Sequence, residues 1–502
     1  MAPFAPHVTR RSLLCGLAAT AALPAAARAP ERSLFPRARA SVRGPVNGLA
    51  AHSAERLLQD ADLGGATGFI AIDAESGDVL EEYGADTALP PASVAKAATA
   101  MFGLHTLGME YRFLTRVLAR GGAVTGGVLR GDLVLQGGGD PMLQTEDLAR
   151  LADRLVDSGL RRVEGRFLVD ESALPRIGAI APDQPVEAGY NPAISGLNLN
   201  YNRVHFQWAR SGDGMELTMD ARSPREVPRV SVIGIEAQER AMPVYTYDEQ
   251  AEREFWTVSR AALGNGGSRW LPVRRPGPYT GDVLRALLVA RGCTVPAPQR
   301  ATGAGSGAIL AEHRSMQMSE LMRVMLRYST NLAAECVGLS AARRLEPGTH
   351  GLQQSGQAMT RWLTRHYGVR NLQFVDHSGL GDTARVTARS MAEFFLAAGR
   401  EGILPGLLRQ HVMRDSQGRP MDNHPVDVRA KTGTLNFVSG LGGYAQTPGG
   451  RDIVFAIFSG DLDRRAAIPV EARDRPAGAR GWARRARALQ QGLIERWSAT
   501  YG

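Results

Sequence analysis

Residues 66–86 read ATGFIAIDAESGDVLEEYGAD, two short alternations of apolar and polar positions around the turn residues of ESGD. That pattern predicts a β-hairpin. The chain then passes through ALPPAS into SVAKAATAMFGLHTLG (93–108), whose alanines and long apolar side chains predict a helix. From about residue 115 the character changes. RFLTRVLARGGAVTGGVLRGDLVLQGG is broken into short β-like runs, followed by an amphipathic helix in LQTEDLARLADRLVDSGL and strand-like pieces in VEGRFLVD, VHFQWA and RVSVIGI. Helical character resumes at PYTGDVLRALLVARG and continues through residues 315–345 and ARSMAEFFLAAGR. Late in the chain, TGTLNFVSGLGGYAQ, the turn TPGG and RDIVFAIFSG predict a hairpin rich in aromatic and β-branched residues, and WARRARALQQGLIERWSA predicts a closing helix. No repeat of 20 to 50 residues is present, which excludes a solenoid.

At 502 residues the chain exceeds one ordinary core, and 44% hydrophobic with 22% charged residues describes a soluble globular protein of two or three domains. The N-terminus changes this picture. TRRSLLCGLAATAALPAAARA has a twin arginine (Arg10, Arg11), a short apolar stretch interrupted by Pro24, and small residues suited to cleavage near Ala27 or Ala29. Residues 1–29 are therefore expected to be a twin-arginine export signal, too short and weak to serve as a membrane span, and a periplasmic location is expected. Cys15 lacks the small preceding residue of a lipoprotein site.

Loss of Arg10, Arg11 and Arg28 with the signal lowers the formal charge from +9 to +6. The mature chain stays basic, notably across 463–492, where arginines interleave with alanines. Outside the cytoplasm such a segment is either a solvated helix face or a peripheral contact with an anionic envelope surface; no nucleic-acid partner is expected. Cys293 and Cys336 are open to either a single disulfide or two buried thiols. None of the ten histidines falls in HExxH or another metal-ligand spacing, so no metal and no cofactor is expected.

The chemistry enters through lysine. Only Lys96 and Lys431 occur in the chain, every other basic side chain of this type being arginine. A guanidinium stays protonated in proteins, whereas a lysine amine is driven neutral by burial or a neighbouring cation. Lys96 follows Ser93 by three residues at a helix start, which puts amine and hydroxyl on one face. Ser329-Thr330-Asn331 lies in RYSTNLAAE and Lys431-Thr432-Gly433-Thr434 in AKTGTLNF. Ser-x-x-Lys, Ser-x-Asn and Lys-Thr-Gly, in that order and widely spaced, make the three-part signature of active-site serine penicillin-recognising enzymes, and both lysines of the chain occupy its lysine positions. The residue types fit: Ser93 is the nucleophile and a neutral Lys96 its base, with Lys431 the nearby cation that would help to lower the pKa of Lys96. Ser329 can pass a proton, Asn331 can orient a substrate backbone, and Lys431, Thr432 and Thr434 can hold a terminal carboxylate. Gly433 lets substrate lie close to the strand. Backbone N–H groups of Ser93 and Thr434 would form an oxyanion hole.

The arrangement resembles the low-molecular-mass class C penicillin-binding proteins, the D-alanyl-D-alanine carboxypeptidase/endopeptidases. The resemblance runs from about residue 60 to 460 and includes GDLVLQGGGDPML (131–143), VEGRFLVDESAL (163–174) and VDHSGLGDTARVT (375–387). It implies an α/β (α+β) fold in which an antiparallel sheet flanked by helices forms a serine transpeptidase-like catalytic domain. That domain would be split into 45–112 and 276–502 by a mainly-β insert at 113–275. It further implies D-Ala-D-Ala carboxypeptidase activity, with endopeptidase action on cross-links as the family's second activity. Peptidoglycan stem peptides would be substrates and β-lactam antibiotics covalent inhibitors. Asn436 stands where the family often has a polar amide in contact with substrate. Two departures bear on stem-peptide preference. Gly381 and Asp382 replace the family's Ser-Arg, with Arg385 farther on, and APDQPVEAGYNPAISGLNLN (181–200) replaces a Trp-rich stretch.

Two rival readings use the same residues. A β-lactamase or esterase on this core is disfavoured because Tyr328 is one residue too early for a class C enzyme and no clear class A Glu loop is found. A non-catalytic wall-binding or penicillin-sensing protein would have no need of rare lysines.

Overall fold

The computed structural model describes residues 52–502 apart from residues 213, 252, 304, 416, 470–471 and 475; the expected export signal with Cys15, and the linker at 30–48, lie outside the described residues. Helix α1 (Ala54–Ala61) is capped by Ser53, whose hydroxyl accepts the Arg56 N–H. Strands β1 (Ala66–Asp73) and β2 (Val79–Tyr83) form the expected antiparallel hairpin, with Phe69 opposite Tyr83. A 3-10 turn over Ala92–Val94 then runs into α2 (Ala95–Leu107), of which all residues from Ala95 to Leu104 are buried.

The insert has its own sheet. β3 (Leu114–Arg120), β4 (Asp132–Gln136) and β5 (Phe167–Asp170) form its centre, and α3 (Thr145–Asp157) packs on it. Two further three-stranded sheets follow between residues 203 and 272. The expected boundary at 275 differs from the observed topology. Helix α4 (Pro276–Ala290) buries Val283, Leu284, Leu287 and Leu288 in the same core as Leu148 and Leu155 of α3. Strands β6 (Pro298–Ala301) and β7 (Ala308–Arg314) then close both edges of the insert sheet, in the order β6-β5-β4-β3-β7. The chain thus leaves this unit near residue 315. Helical periodicity at 276 does not reveal which core an apolar face joins, and the two edge strands are short and half exposed, so they carry little alternation.

Helices α5 (Met318–Tyr328) and α6 (Asn331–Leu345) divide the expected helical stretch at Ser329, whose φ of 57° ends the first helix in the left-handed region. α7 (Leu352–Tyr367) buries only a narrow stripe including Ala358, Met359 and Leu363, and α8 (Ala388–Arg400) is capped by Thr387. The late segment forms three strands rather than a hairpin: β8 (Asp427–Leu435), β9 (Val438–Gln446) and β10 (Asp452–Gly460). Leu435 pairs with Val438, leaving a two-residue turn at Asn436–Phe437. Phe437 takes φ 56° without being glycine. Its ring is buried beneath the Arg464 guanidinium, 4.3 Å from the ring centre, and meets the edge of Trp482. Packing therefore holds a turn that carries no glycine signal.

These strands complete a five-stranded antiparallel sheet in the order β8-β9-β10-β1-β2, with Ala66 paired to Gly460 and Asp73 to Ile453. On one face Phe69, Leu441, Phe455 and Ile457 pack against Trp482, Leu489, Leu493 and Trp497 of the closing helix α9 (Ala479–Tyr501). On the other face lies α8, where the Tyr444 hydroxyl donates to the Phe395 carbonyl at 2.7 Å. The five-stranded antiparallel sheet flanked by helices, in a chain of mixed helix and strand, is the expected class. Cys293 and Cys336 are buried free thiols in separate cores, which resolves the disulfide alternative. Among the described residues no helix is long and apolar enough to cross a membrane.

Candidate active site

Ser93 sits in the 3-10 turn that opens α2, where the positive end of the helix dipole and its unpaired N–H groups favour negative charge. The Lys96 Nζ donates to Ser93 Oγ at 2.9 Å and to the Ser378 carbonyl at 2.8 Å. Lys96 has no exposed surface, and burial lowers its pKa to about 8, against the raising influence of the carboxyls of Glu335 and Asp376. The amine is therefore held by two oxygen acceptors in a setting that brings loss of its proton to within about one pH unit of neutrality.

The second lysine forms a parallel pair. Lys431, on the edge strand β8, donates to Ser329 Oγ at 3.0 Å and to the Thr432 carbonyl at 2.7 Å, and it is almost fully buried. Burial depresses its pKa strongly, with Lys96 and Arg409 adding repulsion. The expectation that Lys431 helps to depress Lys96 is thus modified. Burial governs both amines, and the repulsion weighs on Lys431, which has only neutral acceptors within reach. Ser329 and Asn331 stand at the junction of α5 and α6, and the Asn331 Nδ2 donates to the Tyr190 carbonyl at 2.9 Å.

β8 lies tight against the serine turn. A Cβ on Gly433 would fall 2.8 Å from the Pro91 carbonyl oxygen and 3.0 Å from the Ser93 nitrogen, so glycine is required for this approach. Thr434 is the next residue along the same strand, which brings its backbone close to the serine turn. The open cleft of about 880 Å³ is lined by Ser93, Tyr190, Ser329, Asn331, Thr434 and Asn436 among others. Thr432 lies half buried beside Lys431 on β8, outside the lining of that cleft. The Asn436 Nδ2 donates to the Arg473 carbonyl at 2.7 Å, so its amide braces the cleft wall.

A buried support beneath Lys96 escapes sequence reasoning. Glu335 of α6 accepts the backbone N–H groups of His377 and Ser378 at 3.0 and 2.8 Å, and Asp376 accepts those of Gly379 and Gly381 at 2.7 and 2.6 Å. Both carboxyls are fully buried and their pKa values are raised by burial, to about 8 for Glu335, whose proximity to Asp376 adds to the effect. Together they fix the turn whose Ser378 carbonyl holds Lys96. The only sequence signal was Asp376 within VDHSGLGDTARVT; Glu335 reads as one more helix acid.

The departures are also located. Asp382 pairs with Arg465, another cleft residue, whose Nε lies 2.9 Å from Asp382 Oδ1, while Arg385 folds back onto the Asp382 and Ala384 carbonyls. The segment 181–200 brings Gln184 and Tyr190 to the cleft, joined by a 3.0 Å hydrogen bond from the tyrosine hydroxyl, and Asp183 pairs with Arg473 at 2.6 Å. None of these cleft residues belongs to a short motif.

Comparison with known proteins follows the same lines. The D-Ala-D-Ala carboxypeptidase 3 (S13) family model matches residues 50–474. The D-alanyl-D-alanine carboxypeptidase of Actinomadura sp. (strain R39) is 25% identical over 460 residues, covering 83% of this chain and 82% of that protein. The D-alanyl-D-alanine carboxypeptidase DacB of Haemophilus influenzae is 24% identical over 446 residues, covering 82% and 89%. The crystal structure of penicillin binding protein 4 (dacB) from Haemophilus influenzae has a TM-score of 0.68 at 20% identity, covering 90% of this chain and 98% of that one. A second crystal structure of that protein holds a β-lactam, with the same TM-score of 0.68 at 20% identity over 88% of this chain and 99% of that one.

Proposed function

The chain belongs to the D-Ala-D-Ala carboxypeptidase 3 (S13) family, and we propose that it is an exported serine-type D-Ala-D-Ala carboxypeptidase that works through an acyl-enzyme on Ser93. The observation that carries this reading is the buried Lys96 amine 2.9 Å from Ser93 Oγ, in line with a second buried Lys431–Ser329 pair. Neutral Lys96 takes the Ser93 proton as Oγ attacks the carbonyl carbon of the penultimate D-alanine. The Ser93 and Thr434 backbone N–H groups stabilise the oxyanion, a contribution of about 3 to 4 kcal/mol per donor by analogy with oxyanion holes elsewhere. As the C–N bond breaks, Ser329, held by Lys431, delivers a proton to the departing D-alanine amine. Water then hydrolyses the ester.

Asn331 orients the substrate backbone, and the terminal carboxylate sits against Lys431 and Thr434. Its arrival supplies the anionic partner that Lys431 lacks in the free site, which favours the charged amine. Gly433 keeps the strand accessible, and Asn436 braces the wall. Endopeptidase cleavage of peptidoglycan cross-links follows the same steps with a stem-peptide amine as leaving group. The signal at 1–29 supports a periplasmic site of action, and β-lactams act as covalent inhibitors that mimic the acyl donor.

The test is an intact-mass time course of the mature protein with benzylpenicillin beside Ser93→Ala, with D-alanine release from a pentapeptide measured on the same samples. A persistent adduct and D-alanine release, both lost in the variant, are expected. Absence of both from the parent protein, or rapid penicillin turnover without an adduct, would overturn the reading.

The pH dependence provides a second expectation. Lys96 must be neutral to accept the proton, and with its pKa at about 8 only about a tenth of the free molecules qualify at pH 7. The second-order acylation rate constant, which reports the free enzyme, should rise nearly tenfold per pH unit below about 8 and level off above it. A profile flat from pH 6 to 9 would remove Lys96 from the role of base.

A further inference from the structure

We propose that His105, His366 and Glu401 form a binding site for a divalent metal ion of the zinc class, at the end of α2 remote from Ser93. The three residues are far apart in sequence, so no short spacing announces them, yet their ligand atoms all lie within 4.8 Å of one another. The His105 Nε2 is 2.8 Å from Glu401 Oε2, and the His366 Nε2 is 3.2 Å from Glu401 Oε1. Zinc binds imidazole nitrogen and carboxylate oxygen at about 2.0–2.2 Å, which sets tetrahedral ligand-to-ligand edges of about 3.3 Å. The two histidine–glutamate separations lie within about half an ångström of that edge, and the two imidazoles, whose ligand atoms lie within 4.8 Å of each other, close the remaining edge by turning toward the ion.

Three independent features favour a cation here. His105 and His366 lie in the last turns of α2 and α7, and Glu401 is the C-cap of α8. Three helix C-termini, each carrying partial negative charge, thus converge on one point. The ligands are also held by a surrounding shell. The Tyr367 hydroxyl donates to Glu401 Oε2 at 3.2 Å, and the Trp362 ring stacks on His366 with centres 4.7 Å apart, fixing carboxylate and imidazole orientation. Finally, side-chain exposures of 27%, 36% and 28% for His105, His366 and Glu401 leave an entry path from solvent. Two imidazoles and one carboxylate suit zinc, cobalt or nickel far better than calcium or magnesium, which prefer all-oxygen sites.

His105 lies nine residues beyond Lys96, about 13 Å along the helix. The ion would therefore staple α2, α7 and α8 together without touching the reacting atoms. A plain hydrogen-bonded His–Glu–His array is the alternative, and metal uptake separates the two.

The experiment uses the full mature protein, stripped with a chelator and titrated with Co²⁺, then with Zn²⁺ as competitor. Saturable uptake of one ion per chain is expected, with tetrahedral Co²⁺ absorption that Zn²⁺ abolishes. The unfolding midpoint should rise by about 3 °C or more at 100 times the dissociation constant. His366→Gln should lose the spectrum and the shift while melting cooperatively in chelator and retaining benzylpenicillin acylation. His105→Gln replaces it should His366→Gln not fold. Absence of saturable uptake by the parent protein overturns the proposal, as does uptake with an unchanged spectrum in the folded variants.

Discussion

Lys96→Met lowers the rate of benzylpenicillin acylation by about 10²- to 10⁴-fold, the range a positioned general base contributes, while the unfolding midpoint stays close to that of the parent protein. The two halves of this result have separate causes. The rate falls because Ser93 loses the Lys96 amine, which among the described residues is the one group hydrogen-bonded to its hydroxyl that can take the proton. Stability is preserved because a fully buried amine bonded to two neutral oxygens is costly to bury, and methionine matches its length without a charge to desolvate. Glu335 and Asp376 lose the electrostatic attraction of Lys96 but no direct ion pair, and they keep their backbone N–H donors. Stopped-flow acylation and thermal melts on one preparation check both halves. A variant that retained its rate would exclude Lys96 as the base, and one that failed to fold would assign it a structural role instead.

Gly379→Ala should cost about 2 to 6 kcal/mol of stability and remove acylation, whereas Gly368→Ala should cost only about 1 kcal/mol and leave it intact. Both glycines have φ of +73°, so both substitutions carry left-handed strain. They differ in what a Cβ meets. At Gly368 nothing lies within 4 Å, while at Gly379 the new atom would stand 1.8 Å from the Ala92 carbonyl oxygen. Ala92 is itself fully buried, has φ of 46°, and immediately precedes Ser93. The added methyl therefore pushes on the turn that carries Ser93 and on the neighbouring Ser378 carbonyl that holds Lys96. Urea unfolding of the pair isolates the contact from the shared strain. Equal losses for the two variants would show that the contact relaxes freely.

The parts of the fold legible from sequence were those with strong local periodicity: the β1–β2 hairpin, the helix after Ser93, the closing helix, and strands β9 and β10. The candidate site was legible where a rare residue type met a short motif, as in the Lys96–Ser93 and Lys431–Ser329 contacts. Elsewhere the deciding forces are not local. The turn at Asn436–Phe437 is held by Arg464 and Trp482, and the insert extends past residue 275 because α4 shares its apolar face with α3. Tyr190, Gln184 and Arg465 reach the cleft from segments with no motif of their own. Glu335 and the His105–His366–Glu401 group are assembled by helix packing, which a spacing rule within one segment does not detect.

The pairing of β1 with β10 has a consequence for the nascent chain. β1 leaves the ribosome about 380 residues before β10 does, which at about 5–20 residues per second is an interval of roughly 20 to 80 s. Throughout that time Phe69, Ile70 and Ile72 have no sheet neighbour except β2, and a lone hairpin is marginally stable in water. The insert, with its own sheet and core, is made in the interval and can collapse first, bringing residues 113 and 315 together, where the Ser315 N–H bonds the Phe113 carbonyl at 2.9 Å. That contact removes some 200 residues from the loop that β1 and β10 must close, so the insert acts as a clamp on the assembly of the five-stranded sheet.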